Sequence, residues 1–574
     1  MKKTTFITIL CAALCLNHSY AAQDTKDLYV SITKEIIQKI DSLFVSETDK
    51  METEIPGISV AIVNDKSILW SKTIGFTDTT KSNAINPSTI FSIQSMGKTV
   101  TTVAILTAVQ DGFLDLDTPI KKYLPEFKVN SIYDKFPGEI ITIRHLLTHR
   151  AGFTHEAPLG SSFTLCKNFE EHIKSISDTW LRYPVGTRFA YSNLGLDLAA
   201  YILQVKSGLP FEQYVKQRIF TPLGMKNASL DFVEIEKNKN RVVPFTGKYP
   251  LYIPMLGAGA EYMSLNDMVN YIQFFLNNGV VNGKRLLRED LLKEMYKIQY
   301  ACPNQRAGEG INLEIEPVCD SYLAYKLGRG YGFSSNMIMY PEKNLGIFLI
   351  TNDQNLDSRT NLSAMAFKII VEDVLSKYYG KTPVDPSEVE SMTLLAYDDE
   401  RVKGVIGTYG PPWDSRSIFY KDSILGYGIG ERFYPLTFYL DNGELVGMLG
   451  KYSEIRFLKP YHEGKRPSLM QLHRAVGSRC RHVFEYNYGP NDPFGPNKKE
   501  WSKYLGTYCR YKYGELQDTS VFKINISIKN GYLTARDLKC EEYLPGLFFT
   551  SDGECVDLRT NNPHFKNIPL KKTK

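Results

Sequence analysis

Gly57-Ile58-Ser59-Val60-Ala61-Ile62-Val63 runs into Asn64-Asp65-Lys66 and then Ser67-Ile68-Leu69-Trp70. Two strand-forming runs joined by turn-forming residues read as an antiparallel hairpin. Far along the chain, Asn336 to Tyr340 and Leu345 to Thr351 flank Pro341-Glu342-Lys343-Asn344, a second hairpin. Leu362, Met365, Ala366, Ile369, Ile370 and Val374 then follow helical spacing, with Asp357 or Ser358 placed to cap the start and Gly380 close past the end. Between the hairpins, helices are expected over Ser95 to Gln110, Phe211 to Ile219, Leu265 to Asn277 with Ser264 as N-cap, and Arg288 to Ile298. The economical α/β architecture is one antiparallel sheet built from both ends of this region, flanked by helices, with a helical subdomain inserted between.

Outward from that sheet, the 574 residues hold enough apolar material, 43%, for two to four domains. With 68 Lys+Arg against 63 Asp+Glu and a net charge of +5, no surface dedicated to polyanions is expected, and nucleic acid is excluded as a partner. Lys2 and Lys3, the short apolar run Phe6 to Leu16 and Ser19-Tyr20-Ala21 read as a bacterial secretory signal, residues 1–22, cleaved after Ala21 or Ala22. No later run is long enough for a membrane span, so a secreted or periplasmic protein is expected. In that oxidising setting Cys166, Cys302, Cys319, Cys480, Cys509, Cys540 and Cys555 can form disulfides, at least one thiol being left over. Cys302 with Cys319 is the pair expected first.

The helical pattern stops around Thr382 to Pro386, which divides a catalytic region, residues 23–380, from a Tyr- and Gly-rich tail. Short alternating runs there argue for β-structure. Val405-Ile406-Gly407-Thr408-Tyr409 recurs as Tyr504-Leu505-Gly506-Thr507-Tyr508, and Asp441-Asn442-Gly443-Glu444-Leu445 as Lys529-Asn530-Gly531-Tyr532-Leu533. Two β-rich modules, 386–487 and 500–574, joined through Tyr488 to Lys499, are expected to pack against the catalytic region or rim its substrate.

Three short patterns carry the chemistry. Ser95-Met96-Gly97-Lys98 puts an amine one helical turn from a hydroxyl, where it can take that proton. The spacing recurs at Ser31 with Lys34 and Ser520 with Lys523, so context singles out Ser95: it follows the strand-like Thr89 to Ile93. In Tyr191-Ser192-Asn193, a phenol between two lysines is expected to ionise near neutral pH, and Asn193 to offer its amide to a substrate carbonyl. Lys326-Leu327-Gly328, read as an edge strand, supplies a second cation, with Gly328 allowing the substrate backbone close and the Arg329 N–H joining that of Ser95 in an oxyanion hole. His145 and His149 share a helical spacing, but without a His-Glu-x-x-His arrangement or a third ligand they read as structural. No metal or cofactor is expected.

The order Ser-x-x-Lys, Tyr-x-Asn, Lys-x-Gly resembles serine β-lactamases and penicillin-binding proteins. Pro56 to Ala61, Leu114 to Pro119, Ile141 to Gly152, Pro222 to Met225 and Gly332 to Ser335 extend the resemblance to the class C β-lactamase-like family, across roughly residues 30 to 378. It implies a β-lactamase-like fold, with Ser95 as nucleophile, Lys98 its partner, Tyr191 moving protons, Asn193 orienting substrate and Lys326 the third-motif cation. Leu327 and Tyr331 depart from that pattern, leaving Arg329 as the alternative cation. The tail resembles the lipocalin-like modules of some family members. The resemblance implies an exported serine hydrolase that forms an acyl-enzyme on an amide, β-lactam or ester carbonyl of a small molecule or peptide. The alternative is a catalytically silent protein that binds cell-wall peptides or a partner.

Overall fold

The computed structural model describes residues 33–51, 56–81, 83–160, 168–245, 251, 254–301, 307–318, 321–356 and 362–379. In the tail it describes 392–409, 416–429, 432–441, 443–449, 453–458, 468–473, 486–488, 499–510, 523–529, 532–536, 538–550, 554–559, 563–565 and 568–573. The export signal, Cys302 with Cys319, the helix caps Asp357 and Ser358, Gly380 and most of the inter-module linker lie outside these residues.

The first helix, α1 (Lys34–Asp49), starts at Thr33, whose hydroxyl accepts the Ile36 N–H at 3.3 Å. Ile36, Ile40 and Phe44 recur every fourth residue, so one stripe carries its buried side chains. Strands β1 (Ile58–Val63) and β2 (Ile68–Ile74) form the first hairpin. Later come β3 (Gly308–Glu309), β4 (Glu314–Val318), β5 (Ser321–Gly330), β6 (Phe333–Tyr340) and β7 (Leu345–Thr351). These seven make one antiparallel sheet in the order β2-β1-β7-β6-β5-β4-β3. The two hairpins meet where β1 pairs with β7, from Ile58 opposite Thr351 to Val63 opposite Gly346.

Because neighbouring strand residues face opposite ways, β1 serves two cores at once. Ile58, Val60 and Ile62 pack with α1 and the C-terminal helix of the region (Leu362–Tyr379), while Ala61 and Val63 face the helical insertion. The insertion carries α2 (Gly97–Gln110), α3 (Ile143–Leu147), α4 (Asn193–Ser207) and α5 (Leu265–Leu276). Every residue of α2 from Gly97 to Ala108 is buried, which makes it the central helix. Ser264 caps α5 reciprocally with Asp267, as its sequence spacing suggests. The helix expected over Phe211 to Ile219 instead divides into an α segment, Phe211–Val215, and a π turn, Lys216–Phe220.

The tail holds two five-stranded antiparallel sheets that share a core of Tyr409, Ile418, Tyr427, Phe438 and Ile455, followed by a closed eight-stranded barrel. The barrel interior is filled by Tyr508, Ile524, Ile526, Leu533, Phe548, Val556 and Phe565. The sequence repeat has a structural counterpart: Tyr409 donates its hydroxyl to the Val405 carbonyl at 2.5 Å, and Tyr508 to that of Tyr504 at 2.7 Å. In both repeats the flanking strands pair antiparallel, with Asp441 opposite Glu444 and Lys529 opposite Tyr532. Cys509, Cys540 and Cys555 are buried in the barrel. Among the described residues no helix is long and apolar enough to cross a membrane.

Candidate active site

Phe91–Ser92 pairs with Tyr262–Met263, and the chain then turns through Gln94, whose φ is 54°. The turn Gln94–Met96 leads into α2, so Ser95 and Lys98 stand one helical turn apart. The Lys98 Nζ lies 3.1 Å from Ser95 Oγ and donates to the Ala258 carbonyl at 2.6 Å. Burial brings the Lys98 ammonium down to about 8, against the pull of Asp197, Glu261 and Glu156.

Tyr191 reaches the same pocket from the start of α4. Its ring centroid is 5.0 Å from the Lys98 Nζ and 5.6 Å from the Lys326 Nζ, and its hydroxyl hydrogen-bonds Ser95. Three patterns far apart in sequence therefore converge. The expected neutral-pH phenolate is corrected: burial raises the Tyr191 phenol above its ordinary 10 and outweighs Lys326 and the Ser95 hydrogen bond. The phenol keeps its proton at neutral pH.

The Tyr-Ser-Asn turn is clamped by residues 149–156. Ala190 donates its N–H to the His149 carbonyl at 2.7 Å, and Ser192 donates its N–H to His149 Nδ1 at 3.2 Å and its hydroxyl to the Thr154 carbonyl at 2.6 Å. Asn193 donates its side-chain amide to Glu156 Oε1 at 3.2 Å. The Tyr191 ring lies between His149, at 4.4 Å, and His155, at 5.7 Å between centroids. Burial, then Lys326 and Lys98, hold His149 neutral, well below the usual histidine range. His145 and His149 do not share a helical face. His145 closes a capping box with Thr142 in α3, whereas His149 lies beyond that helix with φ 58°.

Two expectations about the third motif change. β5 lies inside the sheet, between β6 and β4, but its pairing with β4 ends at Tyr325. From Lys326 onward one side of the strand is open, so an interior strand behaves locally as an edge. The close approach seen at Gly328 is that of the protein's own main chain: a Cβ there would lie 2.1 Å from the Ile93 carbonyl oxygen and 3.1 Å from the Met96 nitrogen. Gly328 thereby seats β5 against the Ser95 turn. Tyr331 and Gly332, with φ of 47° and 85°, form a two-residue type I′ turn closed by Gly330 and Phe333. Alternation then makes Arg329 opposite Ser334 a non-hydrogen-bonded pair, and the Arg329 N–H points away from β6. The exposed Arg329 guanidinium is engaged with Asn355, whereas Lys326 is buried beside Tyr191.

Sequence reasoning did not single out Glu156, Glu261, Ala258 or His155. These act through tertiary contacts, for which no spacing rule exists. His149 was visible only as a pair with His145, and that pairing pointed away from its place under Tyr191.

The Beta-lactamase family matches residues 40–367 of this chain. D-alanyl-D-alanine-carboxypeptidase/endopeptidase AmpH of Escherichia coli (strain K12) is 24% identical over 404 residues, covering 66% of this chain and 97% of that protein. Protein flp of Staphylococcus aureus (strain MW2) is 26% identical over 337 residues, 56% of this chain; the match spans 64% of that relative's length. The octameric penicillin-binding protein homologue from Pyrococcus abyssi superposes with a TM-score of 0.51 at 22% identity, over 76% of this chain and 96% of its own. SurE, solved with D-Leu, superposes with a TM-score of 0.50 at 18% identity, over 79% and 100% respectively. The chain belongs to the β-lactamase family.

Proposed function

We propose that this chain is an exported serine hydrolase that works through an acyl-enzyme on Ser95. One observation carries the reading: the Ser95 hydroxyl has the Lys98 amine at 3.1 Å and the Tyr191 phenol as a hydrogen-bond partner in one pocket. Lys98 as free amine takes the Ser95 proton while Oγ attacks the substrate carbonyl. The N–H groups of Ser95 and Arg329 stabilise the oxyanion. Tyr191, still protonated at neutral pH, protonates the leaving group and recovers its proton from the Lys98 ammonium. Water then attacks the acyl-enzyme and gives up a proton to Lys98, which passes it to Ser95 Oγ as the acyl–oxygen bond breaks, so that the free amine and the serine hydroxyl are restored. Lys326 orients anionic substrate, and Asn193 together with Glu156 lines the acyl side.

The Escherichia coli relative is a D-alanyl-D-alanine-carboxypeptidase/endopeptidase, which makes a peptide ending in D-amino acids the first substrate to test. The basic start and short apolar run before Ala22 support export to the periplasm or beyond. The test is intact-mass analysis after exposure to a fluorophosphonate, followed by turnover of one D-alanyl-D-alanine peptide, one β-lactam and one short ester. A single adduct on Ser95, absent from Ser95→Ala, is expected. No adduct, with the fold intact, would leave the silent binding protein as the better reading.

A further inference from the structure

The Glu261 carboxyl plays no part in the steps above. It lies three residues after Ala258, whose carbonyl receives the Lys98 Nζ, and its own carbonyl accepts the Ile93 N–H at 3.1 Å. The side chain is completely buried. Among the described residues neither of its oxygens has a hydrogen-bonding partner beyond a loose approach of its own main-chain N–H. It is packed against the first residue of α2, where a Cβ on Gly97 would lie 1.8 Å from Oε2. The glycine between Ser95 and Lys98 is thus where this carboxyl fits.

A carboxylate buried without donors is poorly solvated and retains its proton. Burial accordingly raises Glu261 to about 8, the same value to which burial lowers Lys98. The charged and titratable groups facing Glu261 are Lys98 on α2, Asp197 on α4 and Tyr271 on α5, whose hydroxyl is already given to Thr99. Lys98 in turn faces Asp197, Glu156, His149 and the Tyr191 ring.

Building on the serine-hydrolase reading, we propose that Glu261 is a positioning residue that governs the charge of Lys98: protonated, it leaves Lys98 free to act as a base, and once ionised it holds Lys98 as the ammonium. The two groups compete for protons over the same range.

The experiment follows the rate of Ser95 phosphonylation by a fluorophosphonate across the range in which carboxyl and lysine groups titrate. In wild type the rate rises with pH as Lys98 loses its proton. In Glu261→Gln no negative charge develops, so the midpoint of that rise should fall by roughly one pH unit. Glu261→Met should move it the same way, and Glu261→Asp, which keeps the charge, should restore it. A folded Glu261→Gln whose profile overlays wild type overturns the proposal. So does a Glu261→Gln that cannot fold, because a site holding a neutral acid must tolerate its neutral isostere. Absence of labelling in wild type would instead defeat the serine-hydrolase reading itself.

Discussion

Asp197 accepts the Gly257 N–H on Oδ1 at 2.9 Å and faces His172 Nε2 through Oδ2 at 3.0 Å, with both side chains fully buried. Gly257 precedes Ala258, whose carbonyl receives Lys98, so this pair fixes the acceptor that aims the amine at Ser95. Burial opposes charge on His172, but the hydrogen bond it donates to Asp197, the Asp197 charge, the Leu159 carbonyl and Glu156 together outweigh it, and the ring titrates above its ordinary value. Asp197→Ala would leave that ring without its counter-charge and free the Gly257 N–H. Removing one partner of such a pair costs about 3–5 kcal/mol. A urea unfolding midpoint unchanged from wild type would contradict this role.

Gly328 ties the packing of β5 to the chemistry of the site. Gly328→Ala puts a Cβ against the Ile93 carbonyl and forces β5 away from the Ser95 turn, displacing the Arg329 N–H with it. Misplacement of the reacting groups by about 1 Å can cost about a hundredfold in rate. The expected outcome is a phosphonylation rate down by about that factor together with a lowered melting temperature, since overpacking a core costs about 1–3 kcal/mol. Full labelling at the wild-type rate would show that strand and turn do not need to touch.

Tyr191→Phe keeps the ring between His149 and His155 and beneath two ammonium groups, and removes only the hydroxyl. Loss of a general acid typically costs about 10² to 10⁴ in rate. The loss should be large for a peptide, whose amine must be protonated to leave, and small for an activated ester with a stable leaving anion. Equal losses on the two substrates would mean that Tyr191 serves both through acylation geometry.

Much of this was legible in the sequence wherever a local period carried the information. The hairpins around Asn64 and Asn344 and the helix from Leu362 follow from alternation and helical spacing. The stripe Ile36, Ile40, Phe44 in α1 obeys the same rule, although sequence reasoning missed that helix. The placement of Lys326 inside the sheet depends on β4, whose residues Glu314–Val318 have no distinct alternation. The Tyr191 titration depends on how much water the fold removes, a three-dimensional quantity. Sequence placed two lysines beside the phenol, and desolvation reversed the sign of the conclusion.

The tail bears on the site through Trp180. Leu547, Phe549 and Cys555 of the barrel pack with Ile132 and Trp180, and the Arg559 guanidinium stands 4.9 Å from the Trp180 ring centroid, held by Asp557 at 2.7 Å. From there the chain is pinned toward the pocket. Leu181 donates to the Asn130 carbonyl, Arg182 to Gly152, Gly186 to Arg150 and Ala190 to His149, ending one residue before Tyr191. Trp180 and the Tyr191 turn are therefore joined by a segment that main-chain hydrogen bonds pin at four points. Deleting residues 386–574 should expose Trp180 and Ile132, raise binding of an apolar dye, and reduce turnover of a short ester and a long peptide by the same factor. Arg559→Ala should do so mildly, since a cation over an aromatic ring is worth about 0.5–2 kcal/mol. If truncation spares the ester and abolishes only the peptide, the barrel selects substrates at the rim and does not brace the tyrosine turn.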